Sequence, residues 1–118
     1  MSAAQYDITI EQGASFRLSL RLRNSSGEYI DFTGYAARMQ VRETKDAASA
    51  VLDLTSTGGD ITLASDGTVT VLVDATDTAA LDVPSAGYGY YDLEIESAGG
   101  EVDRWLEGRA FITAEVTR

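Results

Sequence analysis

EYIDFTGYAARMQVR, Glu28 to Arg42, follows the turn cluster Asn24-Ser25-Ser26-Gly27 and runs out as an alternating strand. From Tyr35 one series reads Tyr35, Ala37, Met39, Val41 and the other reads Ala36, Arg38, Gln40, Arg42. Alternation with period two is the signature of a strand buried on one face. The phrase Asp31-Phe32-Thr33-Gly34 before it makes local chemical sense. Asp31 and Thr33 can bond backbone groups, and Gly34 permits a bend.

Working outward, Tyr6, Ile8 and Ile10 alternate with Asp7 and Thr9 as a first strand, ending at Gln12-Gly13. Phe16, Leu18, Leu20 and Leu22 alternate with Arg17, Ser19, Arg21 and Arg23 as a second. Beyond the central stretch, Lys45 to Ala50 reads as a loop, and Val51 to Leu54 as a short strand closed by Thr57-Gly58-Gly59. Ile61 to Leu63 and Val69 to Val73 flank Ala64-Ser65-Asp66-Gly67. Asp-Gly between apolar runs predicts a hairpin, because both residues tolerate positive φ. Residues 76–82 predict a short helix, capped by Asp74 or Thr76, turning Ala79, Ala80 and Leu81 onto the core and stopped by Pro84. Gly87 to Glu96 is the next strand, with Tyr91, Leu93 and Ile95 on one face. After Gly99-Gly100, Val102 to Val116 forms one strand broken at Gly108, or two. Seven to nine short strands with one short helix predict an all-β, immunoglobulin-like antiparallel β-sandwich forming a single domain over 1–118. Residues 1–5 read as a flexible arm that orders on assembly.

Composition narrows the chemistry. The chain has 118 residues, no cysteine and no histidine. Disulfides, thiol and imidazole chemistry and the usual zinc sites are therefore excluded, and no cofactor is expected. A net charge of −10 repels nucleic acid and anionic membrane at long range, so neither is an expected partner. The N-terminus lacks the basic and apolar segments of a signal peptide, and no apolar run reaches spanning length.

Five of the nine basic residues, Arg17, Arg21, Arg23, Arg38 and Arg42, lie on the polar faces of two strands. If those strands are hairpin neighbours, the arginines form one stripe suited to fork-shaped bonding at an interface. The competing reading is an internal ladder against Asp92, Glu94 and Glu96. Gly87-Tyr88-Gly89-Tyr90-Tyr91 has no Lys-Ser/Thr behind it and leads into a strand, so it is no phosphate loop. Its tyrosines read either as a platform for sugar or protein, through Tyr88 and Tyr90, or as a tyrosine corner. Trp105 fits neither face of its strand cleanly; it is a core residue or an interface anchor. Asp60, Asp66, Asp74, Asp77 and Asp82 match no calcium loop and read as turn formers and caps. No Gly-x-Ser-x-Gly elbow is present, and a carboxylate-only hydrolase is the remaining enzyme reading. The expectation is a binding protein and not an enzyme.

Three segments carry a family resemblance. Tyr6 to Gly13 followed by Phe16 resembles the "I-x-x-G-x-x-F" opening of small tailed-phage virion proteins. Asp31-Phe32-Thr33-Gly34-Tyr35 followed by Arg38 to Arg42 resembles their "D-L-T-G-Y-x-x-R-x-x-V-R" phrase, and Leu106 to Arg118 resembles their terminal "l-x-G-x-v-x-v-x-p-x-V-T-R". These proteins are similar in layout to the N-terminal domain of baseplate upper proteins, an immunoglobulin-like sandwich fastening receptor-binding parts to the particle. The resemblance implies a structural virion protein, assembled in the bacterial host cytoplasm in several copies, with other virion proteins as partners. The chain ends at Arg118 with no coiled coil behind the domain, so the expected role is a tail or baseplate adaptor. A capsid decoration or head-fibre base protein is the alternative, and a carbohydrate-binding module the alternative of another class. The candidate docking residues are Arg17, Arg21, Arg23, Arg38 and Arg42, with Tyr88, Tyr90 and Trp105.

Overall fold

The computed structural model describes residues 3–117. Along the chain run β1 (Ala4–Gln5), β2 (Ile8–Glu11), β3 (Phe16–Arg21), β4 (Ala36–Arg42), β5 (Leu52–Thr55), β6 (Ile61–Leu63), β7 (Thr68–Val73), α1 (Ala75–Ala79), β8 (Tyr88–Glu96) and β9 (Val102–Thr113). They build an all-β sandwich of two sheets. The larger has the order β1-β9-β8-β4-β5, with β2 also on β9, and the smaller has the order β3-β7-β6.

The alternation read in the central stretch holds. Ala37, Met39 and Val41 are buried, while Ala36, Arg38, Gln40 and Arg42 take the opposite face. Before β4, Asp31 Oδ1 accepts the Thr33 N–H at 3.0 Å and the Thr33 hydroxyl at 2.6 Å. Gly34 takes φ +83°, and the bend drives Phe32 into the core, where it is 2% exposed. Leu93, Ile95, Ile10, Ala110 and Ile112 from the larger sheet meet Val69, Val71, Val73, Phe16 and Ile61 from the smaller. Each Val, Leu, Ile or Phe side chain among them contributes about 1.5–3 kcal/mol on full burial.

The N-terminal strands run parallel to β9, with Ile8 opposite Ala110 and Ala4 opposite Leu106. Of the arm expected over 1–5, Ala4 and Gln5 are already paired here; Met1 and Ser2 lie outside the described residues. At the step between β1 and β2, the Tyr91 hydroxyl donates to the Tyr6 carbonyl at 2.5 Å. The Tyr91 ring lies inside, as the corner reading has it, but its hydroxyl ties β8 to the N-terminal segment, 85 residues away in sequence, and not to nearby backbone. Burial, chiefly, pushes its phenol pKa well above the ordinary value, with Tyr6 and Asp7 adding to the effect. The folded state thus keeps this proton to higher pH than the unfolded chain does. Its contribution is intact below pH about 10 and is lost as pH rises further. Tyr91→Phe is expected to cost about 1 kcal/mol at neutral pH, from the lost hydrogen bond, and to flatten the alkaline fall in melting temperature. Thermal melts from pH 7 to 11 check both.

The β6–β7 hairpin forms as expected, and three other local expectations need correction. The β6–β7 turn has positive φ only at Gly67 (+89°), with the Gly67 N–H bonded to the Ala64 carbonyl. That is a type I turn closed by a left-handed glycine, so Asp66 is free to accept the Thr68 N–H instead. The helix begins at Ala75, and Thr78 and Leu81 are the residues buried while Ala79 and Ala80 face out. Thr78 Oγ1 donates to the Ala14 carbonyl and accepts the Gly13 N–H, so the buried polar group is satisfied. Asp74 stands at the N-cap position, but its side chain makes no capping bond. Finally, β9 is continuous through Gly108. Its irregularity is a bulge at Trp105, since Leu93 faces Leu106 and the next residue, Glu94, faces Arg104.

Candidate functional site

The two arginine-bearing strands are not hairpin neighbours. β3 lies in the smaller sheet and β4 in the larger, because the chain after the Asn24–Gly27 turn crosses between sheets. That turn closes only a local antiparallel bridge, Arg23 to Tyr29. The single stripe is therefore two separate surfaces.

On the larger sheet, β4 pairs antiparallel with β8, placing Arg38 directly opposite Glu94 and Gln40 opposite Asp92. Arg38 Nε bonds Glu94 Oε1 at 2.8 Å, and this carboxylate raises the guanidinium pKa further. Arg104 contacts Asp92 at 3.3 Å and Glu107 at 3.4 Å. Asp92 itself is raised in pKa, first by burial, then by Glu94, against the pull of Arg104. Arg42 donates to the Ala47 carbonyl and to Gln40 Oε1. The charges of this face are therefore largely matched within the domain. Beside them, Tyr88 packs edge-on against Tyr90 at 5.8 Å and tilted on Phe111 at 5.4 Å. Arg109 covers the Tyr88 ring and Lys45 lies over Tyr90.

On the smaller sheet the balance differs. Arg17, Ser19 and Arg21 face outward opposite Leu72, Thr70 and Thr68 of β7, with no carboxylate in the register. Among the described residues none of Arg17, Arg21 and Arg23 forms an ion pair. Arg21 Nε donates to the Asp66 backbone carbonyl and its guanidinium stacks 3.4 Å above the Tyr29 ring. Arg23 stacks at 4.3 Å and bonds the Tyr29 hydroxyl at 2.6 Å, which lowers the Tyr29 pKa. Tyr29, 40% exposed, was not singled out in the sequence reading. Its position two residues past the turn, back against Arg21 and Arg23, was the available signal.

β3 is also an edge strand, with β7 as its only sheet partner among the described residues. The Leu22 N–H bonds the Gly67 carbonyl, which fixes the ladder so that Phe16, Leu18 and Leu20 bond β7. Arg17, Ser19 and Arg21 then turn their N–H and C=O groups to the open edge. The same three residues present side chains outward and backbone sideways.

Trp105 stands apart from both faces, half-buried at the bulge and packed against the core. The eight candidate docking residues thus divide among the β3 face, the β4–β8 face and the start of β9. No protein-family model matches this chain, and no curated protein does.

Proposed function

We propose that this chain is a non-enzymatic structural protein of a tailed-phage particle, an adaptor in the tail or baseplate. It docks other virion proteins through the outer face and open edge of β3. The observation that supports docking there is the contrast between sheets. Arg38 and Arg104 are matched by carboxylates of the same sheet, while among the described residues Arg17, Arg21 and Arg23 form no ion pair, with only the Asp66 carboxylate in electrostatic reach of Arg21, on a chain of net charge −10. An acidic partner surface would take the guanidinium forks, and a partner strand would take the edge groups of Arg17, Ser19 and Arg21. Arginines at an edge also discourage pairing between copies of the chain, favouring a dedicated partner. The phage setting rests on the resemblance at Tyr6 to Gly13, Asp31 to Arg42 and Leu106 to Arg118.

The test is a contrast of two charge reversals, read in particles and in melts. Arg17→Glu removes no described contact, so melting should move by less than about 2 °C while incorporation into particles falls about tenfold or more. Arg38→Glu places like charges directly opposite at Glu94 and should cost about 0.5–1 kcal/mol, with incorporation retained. Normal incorporation of the Arg17 variant would remove the β3 face from the account.

A further inference from the structure

Between the β3–β4 connection and the β8–β9 hairpin lies an open cleft of about 420 Å³. In sandwiches of this kind the corresponding loops form one end of the domain, where recognition loops sit, an analogy of position only. Here the cleft has its own chemistry. The β9 bulge adds a residue to the strand's inner side, so that Trp105 packs on the core and also borders the cleft. Tyr35 and the buried Phe32 line it from the other loop, their rings edge to face at 5.3 Å.

Three carboxylates, Asp31, Glu101 and Asp103, line it beside the neutral polar Asn24, Ser25 and Ser97, and among the described residues no basic side chain does. Among the described residues Glu101 and Asp103 have no cationic partner; Arg104 between Asp103 and Trp105 takes the opposite face, toward Asp92 and Glu107. Asp31 is held ionised by the Thr33 hydroxyl and N–H. Tyr29, at the rim, already carries Arg21 and Arg23 on its ring.

Of the Phe32, Tyr35 and Trp105 rings, only Tyr35 and Trp105 are partly exposed. Such aromatic side chains in one cleft with carboxylates that form no ion pair favour a planar cation, which packs on a ring while forking to oxygens. We propose that this cleft receives the guanidinium of an arginine presented by a partner protein. A second copy is a poor source, since each copy carries −10 and copies repel. This site adjoins the β3 face at Tyr29 but takes its ligand through other side chains, and it does not depend on the virion reading. Together the two would let one domain join an acidic surface to a basic one.

Trp105 is the only tryptophan, so its fluorescence reports on the cleft without a label. The intact chain is titrated with the blocked tripeptide acetyl-Gly-Arg-Gly-amide and with its lysine and citrulline counterparts. The arginine peptide should give a saturable change, with Kd on the order of 1 mM for so small a ligand. Lysine should bind about threefold or more weaker, and citrulline should not saturate. The double variant Glu101→Gln, Asp103→Asn should weaken the arginine peptide about tenfold with melting unchanged, while Arg17→Glu leaves binding intact. Equal binding of citrulline, a preference for lysine, or no saturation with any peptide overturns the assignment. Concentration-dependent self-association in sedimentation, lost in the double variant, would also overturn it by making a second copy the occupant.

Discussion

Gly108→Ala should destabilise the domain by about 3 kcal/mol and release the N-terminal segment, although it adds one methyl group to an inner position. A Cβ at Gly108 would overlap the Tyr6 carbonyl and crowd the Asp7 carboxylate. Overpacking of this kind costs about 1–3 kcal/mol, and the obstacle is backbone, which cannot rotate away. The displaced carbonyl is the acceptor of the Tyr91 hydroxyl, and Asp7 Oδ1 accepts the Arg109 N–H. Losing these bonds adds about 1 kcal/mol each. Urea unfolding measures the loss, and limited proteolysis should find new cleavage before Ile8. A variant with wild-type stability and no new cleavage would contradict the parallel seating of β1 and β2 on β9.

Leu93→Ala should cost about 2–5 kcal/mol, lowering the melting temperature by roughly 10–25 °C for a domain of this size. Leu93 is 0% exposed, opposite Met39 on one neighbour and Leu106 on the other. Its loss leaves a cavity bounded by strands that are fixed on both sides and cannot collapse into it. Leu72→Ala, on the outer face of β7 with 43% exposure, is the control and should stay within about 0.5 kcal/mol. Similar losses at the two positions would reverse the inner and outer assignment of one sheet.

The two leucines show what was legible in the sequence. Period two fixes which face a residue takes within its own strand, and it placed Met39, Val41, Tyr91, Leu93 and Ile95 inside. It carries no information on which strands pair. The carboxylates of β8 were legible as partners for Arg38, because opposite charges on outward positions have few places to go but a neighbouring strand. The Asn24–Gly27 turn misled in the other direction: it closes a real turn, but one too local to bring β3 and β4 together. Trp105 resisted a face assignment because a bulge breaks the period at that residue, and a bulge has no mark in apolar spacing. The cleft was illegible for a related reason. Asp31 and Tyr35 come from the β3–β4 connection, Glu101 and Trp105 from the β8–β9 turn and the start of β9, and they meet only once the sandwich has formed.

The division of the arginines changes the weight of the candidates. Arg38 and Arg42 serve the domain's own surface, through Glu94, Gln40 and the Ala47 carbonyl. Arg17, with Arg21 and Arg23 gathered about Tyr29, forms no ion pair among the described residues and carries the proposed docking. A surface salt bridge is worth little to stability, so the β3 arginines can be kept for binding at small cost to the fold.

Under the proposed function this chain is a docking component of a phage particle. That role is tested most directly by locating and counting the chain in purified particles, by immunogold labelling together with quantitative mass spectrometry. The account predicts a fixed copy number of several per particle, with label at the tail or baseplate. Label over the capsid would make it a decoration or head-fibre base protein instead, and absence from purified particles would contradict the account.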